Sequence, residues 1–327
     1  MSGVSHIHVD ADDAEMRLDR FLKKRFPQLT QGTVQKLLRT GQIRLDGKRA
    51  EASTRIEAGQ SIRMPPLAAA EDGNPRAPRQ SADHARTKKT LEAMILFADE
   101  DVIVLDKPAG LPVQGGTGQA LHLDGMLETL ALKGERPHLV HRLDKDTSGV
   151  MIVARNGFAA RALAQSFRRR DTRKYYWAVT LGVPTPLKGR IDAALAKQAG
   201  AHGERVAMDE EEGKRAVSLY AVVDHAAKRA AWVALWPMTG RTHQLRVHLA
   251  AIGTPILGDW KYGGPASRLS GGEVSSKLHL HARRLILPHP RRGTIDATAP
   301  LPPHMKATWE TFGFDPRDDG DPFSEID

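Results

Sequence analysis

From residue 91 onward the chain is written in short runs of β-branched and aromatic residues, and this limits its fold more than any other feature. "DVIVLDKPAG" (101–110), "GVMIVAR" (149–155), "KYYWAVTLG" (174–182), "AVSLYAVVD" (216–224), "AAWVALWP" (230–237) and "LHLHARRLIL" (278–287) all read as strands bounded by turn residues. Two segments have helical spacing instead. "GFAARALAQSFRRR" places Ala160, Leu163, Ala164 and Phe167 on one face, and "RTHQLRVHLAAIG" places Leu245 and Leu249 together before a stop at Gly253. Strands outnumber helices and do not alternate with them one for one. The pattern therefore predicts an α+β domain with a mixed, mainly antiparallel sheet over residues 91–315.

The N-terminal part is written differently. Leu18, Phe21, Leu22 and Phe26 make one helical stripe, and Val34, Leu37 and Leu38 a second, with Thr30 as N-cap and Gly41 as the stop. "QIRLDGKR" then gives a strand and an Asp46-Gly47 hairpin turn, and "GQSIRMPP" a further strand. Residues 16–65 hold 12 Lys/Arg against 4 Asp/Glu, so most of the chain's net charge of +9 sits in one small module. With the stripes buried, Lys23, Lys24, Lys36, Arg39 and Arg44 remain at the outer surface, a charge pattern suited to a polyanion such as nucleic acid. Residues 66–90 lack periodicity and are rich in Pro, Ala and Arg, which reads as a flexible linker; 316–327 read as an acidic tail.

Several chemistries are excluded or disfavoured. The chain has no cysteine, which removes disulfides and thiolate nucleophiles and fits a reducing compartment. No apolar run reaches the ~18–20 residues of a membrane span, and the first residues lack the pattern of a signal peptide. A cytoplasmic monomer is the expectation. "GGTGQA" (115–120) lacks the Gly-Lys-Ser/Thr of a phosphate loop and reads as a flexible loop at a cleft mouth. The histidine pairs 6/8, 243/248 and 279/281 lack metal-ligand spacing with a nearby carboxylate. No serine lies in G-x-S-x-G, and Ser148 reads as a turn residue.

What remains is "HRLDKDTSGVMIVAR" (141–155), in which Asp144 stands at the lip of a turn before an apolar strand. A cap or turn role is the ordinary reading of an Asp beside Thr-Ser-Gly. Arg142 beside it, and Arg241 and Arg246 on the second helical segment, supply cations that would hold a buried Asp ionised. A lone carboxylate held as an anion suits nucleophilic or general-base work. The residues alone leave the reaction open.

A resemblance narrows it. Residues 16 to about 64 resemble the S4 RNA-binding module through "RLDRFL", "VQKLLRTGQI" and "RLDGKR". "HRLDKDTSGVMIVAR" resembles the signature of the RluA family of pseudouridine synthases. "ILFADEDVIVLDKPAGLPVQGG", "RKYYWAVTLG", "GRTHQLRVH", "GTPILGDWKYG" and "LHLHARRL" match its other segments in order. The resemblance implies isomerisation of uridine to pseudouridine in RNA by base flipping, without a cofactor or metal. It implies Asp144 as the carboxylate acting on the nucleotide, Tyr176 as the ring that packs on the flipped base and takes its C5 proton, and Arg246 as the partner that holds the aspartate. Arg142 would fill the vacated stack, and Arg168, Arg169, Arg170 and Lys174 would line RNA. In this family the S4 module accompanies large-subunit rRNA targets, and the form seen here is most similar to the RluC branch, with the RluD branch or a non-catalytic rRNA-binding role as alternatives. Asp106 and Gln114 depart from the usual Asn and His of the first motif.

Overall fold

The structure is a computed structural model; it describes residues 4–26, 29, 31–66, 77–115, 121–132, 134–169, 171–200, 203–269, 274–318 and 320–323. The chain forms two units, Met1–Gln80 and Ser81–Asp327.

The first unit contains β1 (Ser5–His8), α1 (Leu18–Arg25), α2 (Gln31–Arg39), β2 (Arg44–Leu45) and β3 (Ser61–Met64). The strands form an antiparallel sheet in the order β1-β3-β2. Leu18, Phe21 and Leu22 of α1 and Val34 and Leu38 of α2 are buried against Ile43, Ile56, Ile62 and Met64, so the two stripes do close on one core. Asp46 and Gly47 both have positive φ (49° and 73°), the two-residue turn that matches the twist of paired strands. The unit starts earlier than residue 16, because β1 is the outer strand of its sheet. Three of its four residues are exposed, so it has no apolar alternation by which to be read. Thr30, the expected N-cap, lies outside the described residues.

Helix α3 (Ala77–Glu92) occupies most of the stretch expected to be a flexible linker. It starts with Pro in its first turn and is polar almost all round, so good helix formers build it without a readable stripe. Its anchor, Leu91, is fully buried. Then follow β4 (Ile95–Ala98), β5 (Val102–Lys107), α4 (Leu123–Met126), β6 (His138–Leu139), β7 (Ser148–Ala154), α5 (Gly157–Arg169) and β8 (Arg173–Leu181). After them come β9 (Lys188–Gly200), β10 (Gly203–Met208), β11 (Lys214–Ala226), β12 (Ala230–Pro237), α6 (Gln244–Ala251), α7 (Trp260–Gly263), β13 (Leu280–Pro288), β14 (Thr294–Thr298) and α8 (Pro303–Phe312).

Among the described residues the second unit holds an 11-stranded sheet, ordered β10-β9-β11-β12-β8-β13-β7-β5-β4, with β14 on β13 and β6 on β7. Every pairing is antiparallel except β13 with β7, so the mixed, mainly antiparallel sheet of an α+β domain is present. That parallel junction sits mid-sheet. Gly149 has φ +111° there, and a Cβ on it would lie 2.2 Å from the Ala282 carbonyl oxygen, so only glycine permits the approach. All seven residues of β7 are buried, α5 covering one face. Trp177, Trp232, Trp309 and Phe314 pack on one face of β8 and β12, and Leu245 and Leu249 of α6 on the other.

Two further expectations need correction. Ser148 is no turn residue: it opens β7, buried, with its Oγ 2.9 Å from His281 Nδ1. Arg241 is not on a helix, because the Gln244 side-chain oxygen Oε1 accepts from the Arg241 backbone N–H and the Thr239 hydroxyl and holds 239–241 as a loop in front of α6. The acidic tail is docked through residues 321–323: Tyr175 donates to Asp321 Oδ2 (2.8 Å), and Phe323 is buried against Tyr175 and Trp236.

Candidate active site

A cavity of about 540 Å³ opens where the turn before β7 meets β8, β12 and α6, and Asp144, Tyr176 and Arg246 all line it. Asp144 opens the turn that leads into β7; the Thr147 N–H donates to its carbonyl oxygen at 3.2 Å. That turn is anchored from below by Lys107. The Lys107 side chain is fully buried, and its ammonium donates to the carbonyls of Pro108 (2.9 Å), Leu111 (3.0 Å) and Lys145 (3.0 Å). Burial lowers its pKa to about 8, against the opposing pull of Asp146, Asp144 and Asp106. The rigid, apolar β7 on one side and this cation on the other fix Asp144 half-buried at the cavity wall.

Tyr176 lies on β8 between Leu235 of β12 and Ala282 of β13. Burial, with the Asp144 charge adding, raises its phenol pKa above the usual value, so the side chain stays a neutral O–H. His141 accepts the Ile152 N–H at 2.9 Å and stacks on Phe167 at 4.6 Å; burial and Lys174 lower it to about 3, which keeps it neutral.

Arg246 projects from α6, but its hydrogen bonds do not go to Asp144. Its Nε and Nη2 donate to the two oxygens of Asp259 at 2.8 and 2.7 Å, and Tyr262 covers the guanidinium at 5.0 Å. The physical reason is burial. Asp259 is 1% exposed and needs a fully desolvated partner, which a planar guanidinium supplies bidentately. Burial works against the Arg246 charge, but the Asp259 hydrogen bonds and charge, with Asp144 adding, leave its pKa raised. Arg246 thus serves Asp144 as a fixed positive field, not as the hydrogen-bonding partner the resemblance implied. Asp259 was absent from the expected site, although its role as N-cap of α7, accepting from Tyr262 N–H, is legible in "DWKY".

The expected RNA-contacting residues separate into groups. Arg142 and Arg168 are exposed on the cavity rim, and Lys174 is half-buried in its wall. Arg142 donates to Gln114 Oε1 at 3.1 Å, so this departure from the family pattern is in contact with the rim arginine. Burial raises the carboxyl pKa of Asp106, the other departure. Arg169 is exposed near the end of α5, and Arg170 lies outside the described residues, as do 116–120 of the glycine-rich loop. In the first unit Lys23, Lys36 and Arg39 are exposed. Lys24 is paired with Asp13 at 2.6 Å, and Arg44 is tied to the Gly41 and Gly47 carbonyls. No group of three metal-ligating side chains and no helix long and apolar enough to cross a membrane occurs among the described residues.

Comparison with known proteins places this geometry. Residues 101–251 match the family described as RNA pseudouridylate synthase, and residues 16–62 match the S4 domain. A solved human protein, RNA pseudouridylate synthase domain containing 4, superposes with a TM-score of 0.61 at 32% identity, covering 71% of this chain and 98% of that one. The chain is an RNA pseudouridine synthase with an S4 domain ahead of its catalytic domain. Ribosomal large subunit pseudouridine synthase C of Rickettsia conorii is 36% identical over 272 residues, 83% of this chain and 88% of the relative. The protein of the same name from Escherichia coli K12 is 33% identical over 295 residues, 89% and 91% of the two chains. The chain belongs to the RluC branch of the RluA family.

Proposed function

We propose that this enzyme converts uridine to pseudouridine in large-subunit rRNA, with Asp144 as the carboxylate that acts on the flipped nucleotide. The reaction breaks the C1′–N1 bond, turns the uracil within the site and joins C5 to C1′; the C5 proton is lost and N1 takes one up, so the product is an isomer. The observation that carries the reading is the convergence of Asp144, Tyr176 and Arg246 on one cavity, with Asp144 fixed between β7 and a buried lysine. A base must leave its stack to enter such a site. Arg142 is exposed on the rim, which supports it as the side chain that fills the gap the base leaves.

Tyr176 supplies a ring face to the base. Because its phenol is held neutral, it is a poor base, which leaves Asp144 and water to accept the C5 proton. Arg246 stabilises negative charge near Asp144 through space, held by Asp259. Arg142 and Arg168 on the rim and Lys174 in the wall suit the phosphates around the target, and the exposed Lys23, Lys36 and Arg39 of the S4 domain suit backbone docking that does not read sequence. The names of the RluC-branch relatives support the large ribosomal subunit as source of the RNA. Chemical mapping of pseudouridine after incubation with large-subunit rRNA and, separately, tRNA tests the substrate. New sites confined to the rRNA are expected; sites in tRNA alone would overturn the assignment.

A further inference from the structure

We infer that His243 is a further catalytic residue, a neutral hydrogen-bond donor from Nε2 to a carbonyl oxygen of the uracil. The inference rests on the reading of the cavity as the site of a flipped uridine. His243 lines that cavity and is the last residue before α6. Its backbone is left-handed (φ 53°, ψ 18°), a conformation a β-substituted residue adopts at a cost that its surroundings must cover. Glycine or asparagine would sit there with less strain, so the histidine is held for its ring.

The ring is aimed by one contact. His243 Nδ1 lies 2.6 Å from the Tyr262 hydroxyl, and the two rings meet edge to face at 5.5 Å. That hydroxyl oxygen also accepts the Val206 N–H at 3.3 Å, which occupies one of its lone pairs and favours turning its own proton to the imidazole. On this inference Nδ1 is the acceptor and the ring proton stands on Nε2. Tyr262 is itself fixed, stacked on the Arg246 guanidinium that Asp259 grips. The same lattice that holds the cavity's arginine thus sets the tautomer of its histidine.

A neutral donor fits this place for a chemical reason. A protonated imidazole beside Asp144 would draw off the carboxylate's charge, and the phosphates already have Arg142 and Arg168 on the rim and Lys174 in the wall. The uracil does not. When C1′–N1 breaks, the bonding pair leaves with the base and its charge spreads to O2 and O4. A fixed N–H at one of those oxygens strengthens as that charge develops, with no proton transferred.

The test joins kinetics to spectroscopy. His243→Gly accepts the backbone conformation without the donor, and His243→Gln returns an amide N–H near the Nε2 position. On [5-³H]uridine-labelled large-subunit rRNA, kcat should fall about 100-fold in the glycine variant, with KM changed far less, and recover in part in the glutamine variant. Long-range ¹H–¹⁵N spectra of histidine-labelled enzyme, assigned against His243→Gln, should show a bare Nδ1, and Tyr262→Phe should disturb it. This arm decides the matter even if the glycine variant does not fold. A glycine variant within threefold of wild-type kcat, or an Nδ1–H tautomer, overturns the inference. A wild type that releases no tritium removes the reading beneath it, and the inference with it.

Discussion

The Arg246–Asp259 pair offers the most informative perturbation of the site. The two side chains are 8% and 0% exposed, so each charge relies on the other in place of water. Asp259→Asn keeps the shape and removes one charge, stranding a buried guanidinium. Breaking such a pair from one side costs about 3–5 kcal/mol. For a unit of about 250 residues each kcal/mol moves Tm by about 2–4 °C, so the catalytic unit should melt about 6–20 °C lower. The double variant Arg246→Met with Asp259→Leu removes both charges, and should regain at least half of the lost Tm while losing activity with the Arg246 charge. Differential scanning calorimetry reads the first quantity and tritium release the second. A single variant within 2 °C of wild type, or a double variant no more stable than the single, would refute the account of this pair as a desolvated mutual partner.

Other predictions follow from the same geometry. Gly149→Ala places a methyl group on the Ala282 carbonyl at a φ that L residues avoid, and should cost roughly 3 kcal/mol or more, seen as a lower urea midpoint. His248, His279 and His281 are fully buried and held near pKa 4, below the ordinary 6.5, burial being the main cause. Because the unfolded chain binds those protons first, the stability they confer is complete above about pH 6.5 and is lost as pH falls towards 4. At pH 5 each contributes about 2 kcal/mol less than at neutral pH, so Tm should drop steeply between pH 7 and 5; a flat profile would contradict it. Lys36→Ala with Arg39→Ala should weaken rRNA binding and make the salt dependence of log K shallower by about 1–2 units, whereas an unchanged slope would remove those residues from the interface.

Much of this molecule was legible in its sequence, and the gaps have physical causes. The strands of the central sheet were readable because β7 and β12 are buried on both faces and are written as continuous apolar runs. The β9–β10 hairpin escaped notice: "KGRIDAALAKQAG" is rich in Ala and Lys, and its pairing with β11 gives it a structure that propensity does not announce. Asp144, Tyr176 and Arg246 were found through the resemblance, and the structure brings them together. Asp259 was not, because a hydrogen-bond partner 13 positions away leaves no periodic trace. His243 was singled out only as a candidate metal ligand and set aside; its left-handed backbone and its contact with Tyr262 exist only once α6 and α7 are folded together. Ser148 and Phe323 make the same point: a turn-like residue is buried in a strand, and an acidic tail is held by a buried phenylalanine beside a tyrosine–aspartate hydrogen bond.

The measurement closest to the central claim is tritium release from [5-³H]uridine-labelled large-subunit rRNA by the wild-type enzyme and by Asp144→Asn. The substitution keeps the turn and its hydrogen bond from Thr147 and removes only the carboxylate charge. Release by wild type with loss of at least about 10³-fold in the variant is the expected result. Equal release by the two proteins would show that the chemistry does not pass through Asp144.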